Sequence, residues 1–387
     1  MGRRVIIVGA GIVGASLAWH LSRSGADVTV FDASCPGAGA SGASDGAVSI
    51  ATKSPGPLMD LAIAAKAYYR ELSVPSGPLS GAYKERSTYL VAQHPDEFEI
   101  LARQAEELGA AGVPVHELTG TQLRKTLPAL RDDVEFVLEV REEGHALGYQ
   151  IVQRLLAASG ATVHRGASVE RLALGDAGCT GVVCNGNVFE ADDVVVTAGI
   201  GSSNLICGVG ILPQRGQLIV TDRSPLSKKF PGSLFFAAYL VAKSRLRAST
   251  DSLSSVAAAC ALVIDPLETG QFLIGSTREP DGNAQYTSFA AVSRILRNAV
   301  HFVPGLADLN VVRVFSGVRA CVSDGIPLVG QVPEAPGLWI ATGFAGDGIC
   351  LAPLVGRELA RSMCSEDAIA EMAALEPSRV KDLRAVA

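Results

Sequence analysis

The chain has 387 residues, of which 48% are hydrophobic and 19% charged, and its formal net charge is −6. This composition supplies enough apolar material for a substantial core and excludes a disordered chain. The negative charge removes the broad electrostatic reason to expect nucleic acid or an anionic membrane as a partner. The length corresponds to about two or three domains.

The cysteines and histidines give no sign of a metal site or a disulfide framework. The eight cysteines contain no C-x-x-C pair, and the six histidines contain no H-x-x-x-H pair. We therefore expect no bound metal and no iron–sulfur cluster within this chain. We also expect a cytoplasmic location, because the cysteines suggest free thiols in a reducing compartment and no segment reaches the roughly 18 apolar residues of a membrane span.

The first 32 residues predict a strand–helix–strand unit. Residues 4–9 form a short β-branched run, which is typical of a buried strand. Residues 12–24 have helical periodicity and are followed by Gly25, a suitable C-cap. Residues 27–31 form a second apolar run that ends at Asp32. A unit of this length predicts a parallel sheet with a right-handed crossover.

Later segments continue the α/β pattern at both ends of the chain. Periodicity predicts helices over 58–72, 97–111, 149–159, 290–302 and 349–363, and strands over 162–165, 168–172, 193–197, 311–315 and 338–342. Strand-like runs and turn signals dominate between 215 and 277, where 234–242 is expected to be a buried strand. We predict a discontinuous α/β domain over 1–80, 145–210 and 311–387. A more β-rich domain is inserted over 81–144 and 211–310.

Residues 9–14 have the pattern G-x-G-x-x-G between the first strand and the first helix. Gly9 permits a tight turn, Gly11 lets a pyrophosphate approach the backbone, and Gly14 lets helix and strand pack closely. The phosphate would meet free N–H groups and the positive end of a helix dipole. Asp32 can accept hydrogen bonds from a ribose diol, and its charge disfavours a 2′-phosphate. The pattern predicts a dinucleotide site.

Two later strands end at small residues, which suggests a ligand extended across the whole fold. The first is followed by Ala198 and Gly199, and the second by the glycine-rich segment 343–348, which opens the last helix. That helix start would present N–H groups and a partial positive charge to a reduced flavin, which is anionic around N1 and C2=O. A flavin therefore fits this pattern better than a nicotinamide, although an NAD-dependent dehydrogenase stays an alternative.

In this order, the motifs resemble the D-amino-acid-oxidase-like family of FAD-dependent amine oxidoreductases over nearly the whole chain. The resemblance rests on segments 8–14, 40–46, 195–199, 213–217, 317–319 and 343–348, together with Asp32, Asp324, Pro327 and Gly330. It implies a Rossmann-like FAD-binding domain with an inserted antiparallel-sheet substrate-binding domain. It also implies hydride transfer from the carbon that bears an amine to N5 of the flavin.

Within the family, the chain is most similar to the catalytic subunits of multi-subunit dehydrogenases that act on opines, D-hydroxyproline or glycine, the last in hydrogen cyanide synthase. This similarity implies two partners, a second flavoprotein-like subunit and a small ferredoxin-like subunit. FMN or an iron–sulfur cluster would then lie at or in a partner subunit, and an electron acceptor could bring the complex to the membrane periphery. Two alternatives stay open: a stand-alone oxidase that releases hydrogen peroxide, and a non-catalytic flavin-binding subunit for electron relay or assembly.

The resemblance also implies roles for individual residues. Arg319 matches an arginine that binds the substrate carboxylate in some members, and a guanidinium can pair bidentately with a carboxylate; an ion pair with Asp324 is the alternative. Asp347 could orient or deprotonate the amine, although capping of the last helix is favoured. Tyr239 could line the cavity or pack in the core. His145 is expected in a surface turn, and a position facing the substrate cavity is the alternative.

The cofactor-binding residues come from the same motifs. Ser44 and Asp45 match a loop that passes near the flavin ring, where relatives often have Asn at the second position. Val169 lies where a strand backbone usually contacts adenine. The full set is Gly9, Gly11, Ile12, Val13, Gly14, Asp32, Ala33, Ser41, Ser44, Asp45, Val169, Ala198, Gly199, Gly317, Arg319, Gly343, Gly346, Asp347, Gly348 and Ile349.

Overall fold

A computed structural model gives the fold and describes residues 2–176, 178–238, 240, 262–333, 335–364 and 367–385. The strands are β1 (Arg4–Val8), β2 (Asp27–Asp32), β3 (Ala47–Val48), β4 (Tyr83–Ala92), β5 (Val115–Thr119), β6 (Phe136–Ala146), β7 (Thr162–Arg165), β8 (Val169–Gly175), β9 (Gly178–Cys184), β10 (Asn187–Glu190), β11 (Asp193–Val196), β12 (Ile206–Cys207), β13 (Leu212–Thr221), β14 (Ser233–Phe236), β15 (Val263–Pro266), β16 (Phe272–Gly275), β17 (Val311–Cys321), β18 (Leu328–Gln331), β19 (Leu338–Thr342) and β20 (Arg384–Ala385). The α-helices are α1 (Ile12–Arg23), α2 (Pro57–Leu72), α3 (Pro95–Ala110), α4 (Gly120–Thr126), α5 (Gly148–Ser159), α6 (Phe289–Phe302) and α7 (Gly348–Met363).

The first sheet has six strands in the order β18-β19-β11-β1-β2-β7. The strands from β19 to β7 are parallel, and β18 runs antiparallel to β19. Because β1 lies between β2 and β11, the chain leaves the carboxyl end of β1 at a point where the strand order reverses. Ligands of open parallel sheets bind at such a point, outside the carboxyl ends of the strands.

The side chains of β1 alternate between two cores. Val5 and Ile7 pack on the side of α1, α5 and α7, and α1 contacts both of the other helices. Ile6 and Val8 pack on the opposite side, with the small sheet β10-β9-β8. The strand is therefore apolar on both faces because a layer of structure covers each face.

The second sheet has nine strands. Its order is β17-β13-β16-β15-β14-β4-β6-β3, with β5 beside β6, and its pairs are antiparallel apart from β14 with β4. Ile295 and Ala299 of α6 pack on this sheet. The predicted fold class, a Rossmann-like domain with an inserted antiparallel sheet, is confirmed. The domain bounds stay a prediction; β3 and β17, which lie in the ranges expected for the first domain, are strands of the second sheet.

Two local expectations were wrong. His145 is not in a surface turn but in the long strand β6, where its side chain is buried. The strand expected over 234–242 ends at Phe236, and Tyr239 lies outside the described residues. The described part of the chain contains no helix that is long and apolar enough to cross a membrane.

Candidate active site

The glycine-rich turn after β1 is shaped for a close backbone approach. Gly9 has φ 108°, and its N–H donates to the carbonyl of Phe31 at 2.7 Å. A Cβ at Gly14 would lie 2.1 Å from the Gly9 carbonyl oxygen, so helix and strand touch there. A Cβ at Gly11 would meet Ser41 Oγ at 3.3 Å and would otherwise point into open space. The turn thus leaves room for a ligand at Gly11, as a bound pyrophosphate requires.

Asp32 stands beside this turn at the end of β2. Its Oδ2 accepts a hydrogen bond from Ala10 N at 2.8 Å, and its Oδ1 accepts one from Ser34 N at 2.9 Å. Each carboxylate oxygen can accept a further hydrogen bond, because an oxygen has two lone pairs. The two backbone donors therefore hold the carboxylate in place without using its full capacity to bind a ribose diol.

A crevice of about 780 Å³ begins at this turn and continues between the two sheets to Arg319. Most of the predicted cofactor-binding residues line it: Gly9, Gly11, Ile12, Val13, Asp32, Ser41, Ser44, Asp45, Ala198, Gly199, Gly317, Arg319, Gly343, Gly346, Asp347, Gly348 and Ile349. Gly14, Ala33 and Val169 are not among the lining residues. Gly14 lies beneath the turn, Ala33 follows the end of β2, and Val169 begins β8. Their predicted roles stay predictions.

The loop after Ser41 crosses the crevice and is held from behind by β6. His145 Nε2 lies 2.9 Å from the carbonyl oxygen of Asp45 and donates to it. Burial, and then the charge of Arg86, lower the pKa of His145 to about 4, so the ring is neutral near pH 7. A Cβ at Gly46 would lie 2.8 Å from the same Nε2, so this glycine permits the contact.

The carboxyl group of Asp45 has an altered acidity. Burial, and then the nearby carboxyl of Asp265, raise its pKa, whereas the Ala47 amide and the charge of Arg319 act in the opposite direction. A protonated carboxyl has one donor and one acceptor, as the side chain of asparagine has. The direction of the pKa shift favours the protonated form of Asp45 more than in an exposed aspartate, and this side chain lines the crevice.

Arg319 lies in the crevice, on the strand β17. Its Nη1 donates to the Thr277 carbonyl at 3.1 Å, and its Nη2 donates to Ser276 Oγ at 3.0 Å. A Cβ at Gly216, on the neighbouring strand β13, would lie 2.4 Å from Nη1, so the glycine makes room for the guanidinium. The proposed alternative partner, Asp324, instead accepts from Arg379 Nε at 3.0 Å.

Lys53 is a site residue that the sequence did not reveal. Its side chain is 8% exposed, and its Nζ forms an ion pair with Asp347 at the start of α7. Burial alone would lower the pKa of Lys53, but the carboxylate of Asp347, through its charge and its hydrogen bond, and the charge of Glu143 raise it above the usual value. A lone lysine after a strand gives no signal in the sequence, since its partner is 294 residues away.

Asp347 does not act as the predicted helix cap. It occupies the position before α7, but its side chain makes no capping hydrogen bond and pairs with Lys53. The segment before Lys53 is also fixed by a buried acid: Glu143 of β6 accepts from Ile50 N at 2.9 Å and from Lys66 Nζ at 3.3 Å. The ammonium group of Lys53 therefore has a defined position against the start of the last helix.

These features fit FAD. The open space at Gly11 can receive the pyrophosphate, Asp32 the ribose, and the length of the crevice an extended ligand that ends between the glycine-rich start of α7 and Arg319. Asp32 would bind the adenosine half, and the 41–46 loop and α7 would bind the flavin half. Among the described residues, no group of His, Cys, Asp and Glu side chains is suited to a metal ion.

Comparisons with known proteins agree with this geometry. The model of the DAO family, described as FAD-dependent oxidoreductases, matches residues 4–362. A glycine oxidase of Geobacillus kaustophilus is 25% identical over 365 residues, 91% of this chain and 90% of its own length. One subunit of the opine oxidase of Rhizobium meliloti is 26% identical over 360 residues, 88% of each chain.

The fold of the chain also agrees with that of a solved structure. The crystal structure of glycine oxidase from Geobacillus kaustophilus superposes with a TM-score of 0.85 at 24% identity, covering 97% of this chain and 99% of that chain. The family resemblance and FAD as the cofactor are thereby confirmed. The chain is a member of the DAO family of FAD-dependent oxidoreductases, and it is therefore an enzyme.

Proposed function

We propose that this enzyme oxidises the C–N bond of a small amino acid or an N-substituted amino acid of the opine, D-hydroxyproline or glycine class. One observation carries the proposal: the guanidinium of Arg319 lies in the same crevice as the nucleotide-binding turn. A fixed guanidinium is suited to a carboxylate, because the two groups can form parallel hydrogen bonds. The oxidoreductase site would thus receive a substrate that carries a carboxylate.

Arg319 would act mainly through orientation. When bound, FAD supplies at N5 the acceptor for the hydride that leaves the substrate carbon, while the nitrogen loses a proton and water hydrolyses the resulting imine. The Arg319 guanidinium is held by its bonds to Thr277 and Ser276, the two residues that follow β16, so a carboxylate that binds it is held in one orientation. Orientation of this kind can supply about 7–11 kcal/mol of a reaction barrier.

The proton on the substrate nitrogen does not require a dedicated base. The nearest predicted candidate, Asp347, is engaged by Lys53, and the pKa of Lys53 is raised by that contact. The pair therefore places a positive and a negative charge side by side in the crevice. We propose that Asp347 orients the amine through this pair, and that a dry site favours the neutral amine over the ammonium form.

We further propose that the chain works as the catalytic subunit of a multi-subunit dehydrogenase. Its partners would be a second flavoprotein-like subunit and a small ferredoxin-like subunit that accept the electrons, in the cytoplasm or at the membrane periphery. The similarity to the Rhizobium meliloti opine oxidase protein, which is named as one subunit of that enzyme, supports this proposal. A cofactor of the partners, FMN or an iron–sulfur cluster, would then lie outside this chain.

A stand-alone oxidase is the second candidate, and two observations favour it. The chain is similar to a glycine oxidase over 91% of its length. The crevice also contains a cation beside the glycine-rich loop before α7, because Lys53 forms an ion pair with Asp347 there. Segment 343–348 itself contains no basic residue, so Lys53 supplies the positive charge beside this loop that direct use of oxygen would need.

Purified chain, produced alone, tests these proposals. We expect a yellow protein whose flavin absorbance near its main visible band disappears when it is mixed anaerobically with one of a panel of amino acids and N-substituted amino acids. A flavin that stays oxidised with every member would favour the electron-relay alternative and contradict the proposed activity. Turnover is then compared with oxygen and with an artificial dye: rapid dye reduction with little peroxide supports the subunit role, whereas peroxide released at the turnover rate supports the oxidase.

A further inference from the structure

We propose that a cavity beside α6 is a second binding site of the protein, and that its ligand is a small organic anion with a carboxylate or phosphate group on an apolar body. The cavity has a volume of about 560 Å³, which is within the usual range for sites of small molecules. The inference is independent of the proposed oxidation, because none of the described residues that line this cavity has a proposed role in binding FAD or substrate.

One wall of the cavity is a polar face of α6. Arg294, Arg297, Asn298 and His301 line the cavity, and their spacing of i, i+3, i+4 and i+7 places them on one side of the helix. The apolar side of α6 packs on the second sheet. The polar side of the helix therefore borders an enclosed space between α6 and neighbouring strands.

The opposite wall of the cavity is apolar. Val91 is in β4, Phe236 is in β14, and Leu262 directly precedes β15. Phe302, at the end of α6, adds an aromatic ring whose centroid lies 4.2 Å from that of Phe236. A ligand that contacts both walls would therefore present a polar or charged group to α6 and an apolar body to the strands.

Arg294 indicates that the charged group of the ligand is an anion. Its Nε is buried and has no hydrogen-bond partner among the residues that the structure describes. A buried donor without a partner is costly, and the cost is larger when the group is charged. A carboxylate or phosphate in the cavity would supply an acceptor to this guanidinium, and the hydrogen bond would be charge-assisted.

The balance of charge in the cavity also favours an anion. Arg294 and Arg297 are positively charged, whereas Glu97 is the one acid among the described lining residues. The Glu97 carboxylate accepts hydrogen bonds from Gln93 N at 2.7 Å and from His94 N at 3.4 Å, so the start of α3 engages its charge. The cavity thus has an excess of positive charge in a chain whose net charge is −6.

The cavity and the crevice lie on opposite faces of the second sheet. Phe235 and Phe236 are successive residues of β14, so their side chains point to opposite faces. Phe235 lines the crevice, whereas Phe236 packs in the core beneath α6. Phe236 and Leu262 line both spaces, which places the two sites back to back. An anion at Arg294 would therefore be separate from a carboxylate at Arg319.

Calorimetric titration of the FAD-loaded Arg319→Met protein tests the inference. Bound FAD then occupies the nucleotide-binding turn, and the substitution removes the guanidinium proposed to bind a carboxylate in the crevice. The probes are phenylacetate, phenylphosphate and phenylacetamide, the last being a neutral compound of the same size as phenylacetate. We expect the anions to bind at one site per chain and phenylacetamide to bind about tenfold more weakly, or less. The tighter of the two anions identifies the head group of the ligand.

Further variants in the same background assign the anion to the cavity. Arg294→Met should weaken the binding of both anions by about tenfold to a hundredfold. Arg294→Lys should keep a part of the affinity, because lysine retains the charge but not the geometry of the guanidinium. Arg313→Met, on the exposed part of β17 and outside the cavity, is the matched control and should leave the affinity unchanged.

The head groups alone test the apolar wall. Acetate and inorganic phosphate should bind about tenfold more weakly than the two phenyl compounds, or less, because they bury no ring against Phe236 and Phe302. Three results would overturn the inference: no binding of either phenyl anion, equal binding of phenylacetamide, or an affinity that Arg294→Met leaves unchanged. Equal binding of the head groups alone would contradict the apolar body of the ligand. Each of these measurements is made without turnover.

Discussion

Lys53 and Asp347 form an ion pair across the crevice, and this pair joins the segment after β3 to the start of α7. The lysine side chain is 8% exposed and the aspartate side chain is 36% exposed, so the cation is the more deeply enclosed partner. A buried ammonium group is costly unless an opposite charge accompanies it. The pair therefore has consequences for both the flavin and the stability of the fold.

Lys53→Met should lower the reduction potential of the bound flavin. A reduced flavin carries negative charge, which the ammonium group stabilises, and the substitution leaves the carboxylate of Asp347 in its place. We expect a decrease of about 30 mV or more, since 30 mV corresponds to about 1.4 kcal/mol for a two-electron couple. The potential is measured by anaerobic titration against reference dyes.

Lys66→Met is the matched control for this change. Lys66 is also buried and also pairs with an acid, Glu143, but it is not among the residues that line the crevice. Its replacement should reduce the stability of the protein and leave the flavin potential nearly unchanged. An equal decrease in both variants, or none with Lys53→Met, would show that the ammonium of Lys53 does not act on the flavin.

A double-mutant cycle measures the coupling within the pair. Asp347→Asn leaves the buried ammonium of Lys53 without the carboxylate that raises its pKa, so burial would then lower that pKa. Each single substitution should reduce the free energy of unfolding, and the combination of Lys53→Met with Asp347→Asn should cost less than the sum. We expect a coupling of about 0.5–3 kcal/mol, measured by urea denaturation. Additive effects would mean that the pair contributes nothing beyond its separate contacts.

The two glycines at the nucleotide turn should respond differently to the same substitution. A Cβ at Gly14 would lie 2.1 Å from the Gly9 carbonyl and 2.7 Å from Thr197 Oγ1, so Gly14→Ala should destabilise the protein even without FAD, by about 1–3 kcal/mol. A Cβ at Gly11 would instead point into the crevice. Gly11→Ala should therefore keep the stability of the apoprotein and weaken FAD binding.

Thermal unfolding of the apoprotein and titration with FAD distinguish these two effects. The expected result is a lowered melting temperature for Gly14→Ala, and for Gly11→Ala a raised dissociation constant for FAD at a nearly unchanged melting temperature. If Gly11→Ala bound FAD as the parent protein does, the pyrophosphate would not approach the backbone at this position.

Much of the nucleotide site could be predicted because its determinants are close together in the chain. Gly9, Gly11 and Asp32 belong to one strand–helix–strand unit, and their roles depend only on the geometry of that unit. Lys53 could not be predicted, because Asp347 is 294 residues away and meets it only after both sheets have formed.

The long strands β4 and β6 were also missed, and with them the position of His145. The strand β6 contains the buried acids Glu139 and Glu143, and β4 contains the partly buried Arg86, so their pattern does not alternate between apolar and polar residues. Partners from distant segments neutralise these charges: Lys66 donates to Glu143, and Arg86 donates to Asp265. Hydrophobic periodicity cannot predict a strand whose buried face carries charged residues that are stabilised by ion pairs.

Asp32→Ala should weaken FAD binding by about tenfold to a hundredfold, as expected when a charged hydrogen-bond acceptor is lost. The carboxylate is held by the amides of Ala10 and Ser34 and is available to a ribose diol. Asp32→Asn, which keeps one acceptor oxygen, should have a smaller effect. Asp27→Ala, at the exposed start of the same strand, is the control. The dissociation constant for FAD is measured by fluorescence quenching, and equal values for all three variants would contradict the ribose contact.

His145 should make the stability of the protein depend on pH. In the folded protein its pKa is lowered to about 4, chiefly by burial, whereas the ordinary value is 6.5. Below pH 6.5 the unfolded chain therefore binds a proton that the folded protein does not. The stability that the neutral ring contributes is fully present above pH 6.5 and is lost as the pH falls from 6.5 toward 4.

His145→Gln removes this titration and keeps a side chain that can donate to the Asp45 carbonyl. Protonation of Asp45 has the opposite effect on the stability. Because burial raises the pKa of Asp45, the folded protein binds this proton at a higher pH than the unfolded chain does. The informative quantity is thus the difference in unfolding free energy between the parent protein and His145→Gln. We expect it to decrease with falling pH by up to about 1.4 kcal/mol per pH unit. Urea denaturation at about pH 5, 6, 7 and 8 measures it, and parallel curves would mean that His145 is protonated alike in the folded and unfolded states.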